Sequence, residues 1–518
     1  MSVTLTAQQR RVGFLAAGLL LFVILLLLPP AGGLTESARN MAAVAALMGV
    51  WWIGEAVPLA VTALLPLVLF PVLGILPSKL VAPHYGNHLI FLFLGGFMIA
   101  LAMERCHLHK RLALRIILWT GTGLKRIVLG FMAASAFLSM WISNTATCLM
   151  LLPVAMAVVR QVAASATLDG KTGKEVQHAV QANFGLVLML GLAYSASLGG
   201  IGTLIGTPPN IVFAGFFKTQ FPDQEEISFV RWMILALPVI VIFLPCIWWY
   251  LCRMAPKIPL DRFKTWGHTM PLLHGEYKNL GPMSRAERFV AVVFIMTAGL
   301  WIFRQPLDVG GLQFPGWSSW FAHPDMIHDA TVAMAMGILL LAAPLGWNGG
   351  MELHGRQVLT VLDWETVRKG VPWGILFLFG GGFALAGGVK VTGLDMWIGG
   401  HLTNIHAWPL WLVVFSLCLG MTFLTELTSN TATATMILPV VAAAATAVEL
   451  EPLMLMIPAT LSVSFAFMMP VATPPNAIIY SSGWVSVPQM ALAGLVLNLI
   501  GAVLITVLTL IWVPLVFL

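Results

Sequence analysis

The sequence predicts an all-α polytopic membrane protein of about 11 transmembrane helices plus two re-entrant hairpins, arranged as an inverted repeat. Three observations carry that reading. The 518 residues are 59% hydrophobic and only 9% charged, against about 25% charged in a soluble globular chain. Apolar runs long enough to cross a bilayer, about 20 residues each, succeed one another along the chain. The segment Ser143-Asn144-Thr145-Ala146-Thr147 returns letter for letter as Ser429-Asn430-Thr431-Ala432-Thr433, an offset of 286 residues.

The spans follow in order. Gly13 to Leu28 is long for the core of a signal peptide, no small-residue cleavage motif follows it, and more spans come next, so it is kept as a first helix near 13–30 despite Arg10-Arg11 before it. Others lie near 41–56, 58–76, 89–104, 180–206, 231–252, 289–303, 330–344, 371–389, 453–480 and 490–516. Two further apolar stretches, 127–159 and 411–447, carry the Ser-Asn-Thr segment near their middle. The net charge of +6 is no nucleic-acid signal, because Lys and Arg sit in short loops where they set orientation. The five cysteines are odd in number and none lies in a CxxC, so neither a disulfide framework nor a metal cage is implied.

Loop charges set the topology. Loop 105–126 (Arg105, Lys110, Arg111, Arg115, Lys125, Arg126), loop 160–178 (Arg160, Lys171, Lys174) and loop 253–288 (seven Lys or Arg) read as cytoplasmic. Segment 218–230 (Asp223, Glu225, Glu226) and segment 305–329 (Asp308, Asp325, Asp329) read as external. Stretch 127–159 then enters and leaves on the cytoplasmic side. Stretch 411–447, followed by Glu449 and Glu451, does so from outside. The two halves have opposite topology, with the N-terminus cytoplasmic and the C-terminus external.

Each half also carries a Thr-Pro-Pro-Asn break, Thr207 to Asn210 and Thr473 to Asn476. Non-helical backbone at membrane depth is tolerated only where it is buried in protein or lines a cavity. Paired interruptions at corresponding places in two halves are the best sequence pointer to a transported substrate's site. Ser, Asn and Thr are favoured helix N-caps, so Cys148–Val159 and Met436–Ala447 are read as helices starting at the tips, with N-termini suited to an oxyanion. Proline removes a backbone donor, so Pro208 and Pro209 are expected to free the carbonyls of Leu204 and Ile205, and Pro474 and Pro475 those of Pro470 and Val471. Such oxygens suit Na⁺, and Thr207 and Thr473 are expected to cap the helices that restart. No Lys or Arg lies within either motif, so a bound dianion needs its countercharge from cations.

Other residues have blander readings. Glu426, beside the second tip, faces Met140 in the first copy and is read as structural. His84 and His88 are read as interfacial, Glu55 as fixing local structure, and the glycines at 95–96 and 380–382 as helix-packing or helix-breaking sites. An intramembrane enzyme is disfavoured: the chain has no HExxH, no positioned serine nucleophile and no Asp-rich metal motif. A channel fits closed breaks less well than an occluded site does.

At these residues the chain resembles the divalent anion/sodium symporter family of secondary transporters. The resemblance rests on Trp51–Pro58, Ser139–Thr147, Gly206–Asn210, Thr425–Thr433 and Ala472–Asn476, and spans nearly the whole chain. It implies a homodimer working by an elevator mechanism, in which a transport domain slides against a dimerising scaffold. The expected division is 1–120 scaffold, 121–252 transport domain, 253–400 cytoplasmic loop and scaffold, and 401–518 transport domain. By the same resemblance, one Na⁺ site matches Ser139, Ser143, Asn144 and Gly206, and a second matches Thr425, Thr428, Asn430 and Ala472. Substrate contacts match Asn144, Thr145, Ser429, Asn430 and Thr431, with Thr207, Thr473 and Pro474 nearby. Some members have Ser in place of Thr207. The family holds carriers of C4-dicarboxylates, citrate and sulfate, and exchangers that do not use Na⁺. Two intact Ser-Asn-Thr copies favour carboxylates, and two oxygen-rich sites favour at least two Na⁺ per protomer. The expectation is a Na⁺-coupled C4-dicarboxylate symporter of the cytoplasmic membrane, neither enzyme nor nucleic-acid binder; a sulfate or tricarboxylate symporter and a Na⁺-independent exchanger are the alternatives.

Overall fold

The structure, a computed structural model, describes residues 7–517 apart from 31, 122, 169–171, 266–268, 310–311, 345–350, 354–355 and 402–407. Among the described residues it is mostly helical, with very little strand. The helices that matter here are α1 (Ala7–Leu27), α2 (Glu36–Gly54), α3 (Leu65–Val72), α4 (His88–Arg105), α5 (Leu108–Trp119), α6 (Leu124–Ser139), α7 (Asn144–Ser165), α8 (Lys174–Gly200), α9 (Pro208–Gln220) and α10 (Phe229–Met254). The second half adds α11 (Arg285–Ile302), α12 (Asp329–Ala342), α13 (Trp373–Thr392), α14 (Leu410–Thr425), α15 (Asn430–Ala447), α16 (Leu453–Ser462), α17 (Pro474–Tyr480) and α18 (Val487–Phe517). Eight helices among the described residues are long and apolar enough to cross a membrane, and four apolar ones are shorter.

The differences from the expected spans have local causes. Stretch 58–76 is not one rod: a single turn, Leu59–Thr62, precedes α3. Stretch 453–480 is the ten-residue α16, an irregular segment, and then α17. The strands among the described residues are three two-stranded ribbons of three-residue strands, in loops. All five cysteines are free.

Helices in lipid gain little from burying apolar surface against one another, so close backbone approach does much of the work. A methyl group on Gly95 of α4 would lie 2.5 Å from the backbone of Ala333 in α12, and one on Gly381 of α13 would lie 2.4 Å from Ala63 O. Those glycines pack helices and do not break them, since α4 and α13 run through them. The hairpin α6–α7 lies against α8, and α14–α15 against α16 and α18. The two halves then exchange partners: α7 packs on α17, and α15 packs on α9.

Loop contacts fall into two groups. Arg111 forks onto Glu287 at 2.9 and 3.1 Å, Lys110 pairs with Glu276, and Lys125 pairs with Asp261. Strand Ala166–Leu168, at the base of the first hairpin, pairs with Phe263–Thr265. These are the segments that loop charge groups as cytoplasmic; Lys171 of that group lies outside the described residues. Elsewhere the backbone N–H of Phe229 donates to Asp329 at 2.9 Å, and Gln224 donates to Glu451, at the base of the second hairpin, at 3.3 Å. These are the segments grouped as external.

Candidate functional site

The tips are built alike. α6 ends at Ser139 and α7 begins at Asn144, with Ser143 as N-cap accepting from the N–H of Ala146 at 3.1 Å. α14 ends at Thr425 and α15 begins at Asn430, with Ser429 at the N-cap and making no side-chain cap bond. The Ser139 hydroxyl donates to Asn144 Oδ1 at 2.8 Å, and the Thr425 hydroxyl donates to Asn430 Oδ1 at 2.6 Å. Each buried hydroxyl therefore holds, five residues away, the asparagine that opens the helix. Both helices start at these asparagines, earlier than the expected Cys148 and Met436.

The breaks correct the proline argument. α8 ends at Gly200, residues 201–207 are irregular, and Pro208 and Pro209 are the first residues of α9. Pro474 and Pro475 likewise open α17. Prolines fit the first turn of a helix, where the N–H is unpaired anyway; no helix runs through Leu204 and Ile205, or Pro470 and Val471, for them to interrupt. Asparagine organises the break instead. Asn210 Nδ2 donates to Gly200 O at 3.2 Å and Thr203 O at 2.7 Å, and Asn476 Nδ2 donates to Ala466 O at 3.0 Å and Met469 O at 3.1 Å. The reach is ten and seven residues back in both copies. Thr473 caps α17 through its side chain, accepting from Asn476 N at 3.3 Å. Thr207 holds the N-cap position of α9 by extended backbone alone, with no side-chain cap bond.

Around Gly206 the oxygens crowd. A methyl group there would come 2.4 Å from Gly200 O and 3.0 Å from Ser139 O, and one on Gly200 would come 2.8 Å from Asn144 Oδ1. In the second copy Ala472 takes the place of glycine. The Thr428 hydroxyl is already engaged, donating to Leu424 O at 2.9 Å and lying 2.6 Å from the Thr433 hydroxyl.

One cavity of about 1300 Å³ joins these parts. Ser143, Asn144, Thr145, Gly206, Thr207, Thr428, Ser429, Asn430, Thr431, Ala472, Thr473 and Pro474 all line it. Ser139 and Thr425 are fully buried behind the tips and do not. The cavity runs along one face of α4 (Phe93, Gly96, Phe97, Ala100, Leu101 and Glu104), past Glu55, to Arg10 and Arg11 at the start of α1. Glu55 ends α2 in a left-handed conformation, with φ of 44°. At about 1.5 Å per residue, Glu104 lies about 12 Å along the helix from Gly96, which faces Ile205 of the first break.

Glu426 does not line the cavity. Its carboxylate accepts from Met468 N at 2.8 Å, Met469 N at 2.9 Å and Asn498 Nδ2 at 2.7 Å, and so pins the second break to α18. His84 lies against Gly387 of α13. His88 bonds Glu226. Sequence reasoning missed the anchoring role of Asn210 and Asn476, which were legible only as the last letter of the repeated Thr-Pro-Pro-Asn. It also missed the cavity face of α4, whose signal is the three-and-four spacing from Phe93 to Glu104.

A polytopic helical protein whose two halves place capped tips and broken helices around one polar cavity has the build of a secondary transporter. The chain belongs to the divalent anion/sodium symporter family: residues 9–518 match the family model described as the sodium:sulfate symporter transmembrane region. It is 41% identical over 481 residues to the sodium-dependent dicarboxylate transporter SdcS of Staphylococcus saprophyticus, covering 93% of this chain and 87% of that protein. It is 40% identical over 463 residues to SdcS of Staphylococcus aureus, covering 89% and 84%. Among solved structures, the YdaH transporter of Alcanivorax borkumensis matches with a TM-score of 0.52 over 84% of this chain and 87% of that one. At 11% identity that likeness concerns the fold alone.

Proposed function

We propose that this protein is a Na⁺-coupled symporter of C4-dicarboxylates, of the succinate, fumarate and malate class, in the cytoplasmic membrane, and that it is not an enzyme. The observation that carries the reading is the pair of helix N-termini, opened by Asn144 and Asn430, facing one cavity with no Lys or Arg in either tip or break. Two such ends suit an anion with a carboxylate at each end, since each offers unpaired N–H groups and partial positive charge. Asn144, Thr145, Ser429, Asn430 and Thr431 hold the substrate, with Thr207, Thr473 and Pro474 around it. The named dicarboxylate substrate of the SdcS relatives agrees with this.

The cations supply the missing countercharge. One Na⁺ takes oxygens of Ser139, Ser143, Asn144 and Gly206, and a second takes those of Thr425, Thr428, Asn430 and Ala472, with Thr428 offering its carbonyl because its hydroxyl is engaged. The chain works as a homodimer by an elevator movement, 121–252 and 401–518 carrying the site past 1–120 and 253–400. The base of the first hairpin lies with the basic loops and that of the second with the acidic ones, which supports opposite entry, an inverted repeat and a cytoplasmic N-terminus. With Arg10, Arg11 and Glu104 among its lining, the cavity then reaches toward the inside.

Succinate binding, titrated by calorimetry in Na⁺ and then in choline at equal ionic strength, tests the reading. Na⁺ is expected to tighten succinate by about 5–150-fold, the usual range of coupling between two sites. Equal affinity in the two buffers overturns symport and favours the exchanger.

Gly206→Ala gives a second test. The methyl group must displace the carbonyls of Gly200 and Ser139. Overpacking of that kind costs about 1–3 kcal/mol, or roughly 5–150-fold in apparent Na⁺ affinity. The Na⁺ dependence of uptake into proteoliposomes reads it. Ala472→Gly, at the corresponding place, adds no such clash and is the control.

A further inference from the structure

Three side chains that the cavity does not use meet at its opposite side. His88 is the first residue of α4, His328 is the N-cap of α12, and Glu226 lies in the connection between α9 and α10. His88 Nε2 is 2.5 Å from Glu226 Oε1, and His328 Nδ1 is 3.2 Å from Glu226 Oε2. The two rings stack with centroids 4.8 Å apart. One potential ligand atom from each residue lies within 4.8 Å of the others.

The frame beneath them is fixed. Asp329, next to His328, is buried; it accepts from Arg304 Nε at 2.6 Å and from the N–H of Phe229, three residues after Glu226, at 2.9 Å. α4 packs along α12. Each of the three residues therefore sits on backbone held by neighbours other than its partners in the cluster.

We propose that His88, Glu226 and His328 form a binding site for a divalent metal ion of the zinc class. Two imidazoles and one carboxylate are a ligand set that Zn²⁺ takes, with bonds of about 2.0–2.2 Å and a fourth position left for water. Tetrahedral bonds of that length put ligand atoms roughly 3.3–3.6 Å apart, so the closest pair must open by about 1 Å. Two imidazoles disfavour Ca²⁺ and Mg²⁺, which prefer oxygen. Side-chain exposures of 36% for His88 and 39% for His328 leave the site open to solvent. Glu226 and His328 lie in segments whose charge groups them as external, and His88 bonds Glu226. The metal joins α4 and α12 to the α9–α10 connection. On the elevator reading above, these belong to the scaffold and to the moving domain, which the Phe229–Asp329 bond already joins in this state, so external zinc strengthens that contact and slows transport.

The site is tested without transport. Purified full-length protein, stripped with chelator, competes with a chromophoric indicator for ZnCl₂. One Zn²⁺ per chain is expected. Losing even an outer-shell partner of a metal costs about 10–100-fold in affinity, so His88→Ala and His328→Ala are each expected to weaken binding by about tenfold or more. Glu226→Gln, which keeps the side-chain volume, is expected to do the same and guards against misfolding, as do a monodisperse elution profile and succinate uptake in metal-free buffer. No competition by the wild type, or equal competition by the variants, overturns the site. External ZnCl₂ is also expected to slow uptake by the wild type and not by the His88→Ala/His328→Ala double variant; unchanged wild-type uptake with zinc bound overturns the tether. Absence of succinate uptake in metal-free buffer refutes the transport reading instead, and leaves the zinc titration standing.

Discussion

Asn144→Ala and Asn430→Ala are each expected to weaken Na⁺ and succinate together. Both asparagines open their helices, both line the cavity, and each has its Oδ1 held by a buried hydroxyl, Ser139 or Thr425. On the proposed assignment each amide serves a cation through oxygen while the tip it begins serves the carboxylate. A hydrogen bond to a charged group contributes about 1.5–3 kcal/mol, so each variant is expected to lose about 10–150-fold in apparent affinity. Reciprocity is required: if Na⁺ and succinate are coupled, whatever weakens the coupling appears equally in both affinities. Paired titrations, Na⁺ at fixed succinate and succinate at fixed Na⁺, read both. A variant that loses succinate and keeps its Na⁺ affinity rules out shared ligation at that position. Ser139→Ala separates the two effects further. It removes the hydroxyl behind the tip without touching the cavity, so the intrinsic Na⁺ affinity is expected to fall, while succinate affinity in saturating Na⁺ changes less.

The sequence carried the tips well, because a five-letter repeat inside apolar stretches marks both a helix start and a duplication. Loop charge also grouped segments that meet in the fold, Arg111 with Glu287 and Phe229 with Asp329. The sequence misplaced the work of the prolines. A Pro-Pro pair reads the same whether it interrupts a helix or begins one, and only the seven irregular residues before Pro208 decide the matter. The anchoring of each break by Asn210 or Asn476 depends on a chain reversal of ten residues, which no local periodicity records. The His88–Glu226–His328 cluster draws on three segments far apart in sequence, so single residues gave no hint of it beyond an interfacial position.

Glu426→Ala is expected to be the most destabilising single change near the site. The carboxylate is 3% exposed and accepts from two backbone N–H groups, Met468 and Met469, and from Asn498 of α18. Removing it leaves three donors without this partner, the Asn498 amide buried and the two backbone N–H groups half-buried. An unsatisfied buried donor costs about 1–3 kcal/mol, so the loss is roughly 3 kcal/mol or more, and for a chain of this length the melting temperature is expected to fall by on the order of 3 °C. The first half shows why an acid is needed here and not there. Met140 stands at the corresponding place, and its carbonyl accepts from Thr203 Oγ1 at 2.5 Å while Trp232 donates to Ile201 O at 2.8 Å. Both breaks are held through carbonyls by Asn210 or Asn476, but the second also points the N–H groups of Met468 and Met469 at one place, which only an acceptor can satisfy. Glu426→Gln keeps one carbonyl oxygen but turns an NH₂ toward donors, and is expected to fall between wild type and alanine. Asn498→Ala should add little on top of Glu426→Ala, because the two act as one unit. Thermal melting of the purified protein gives the ranking. Glu426 lies outside the cavity, so succinate affinity measured well below the melting point is expected to change far less than stability does; a variant with wild-type melting and lost succinate binding makes Glu426 a binding residue and overturns the structural reading.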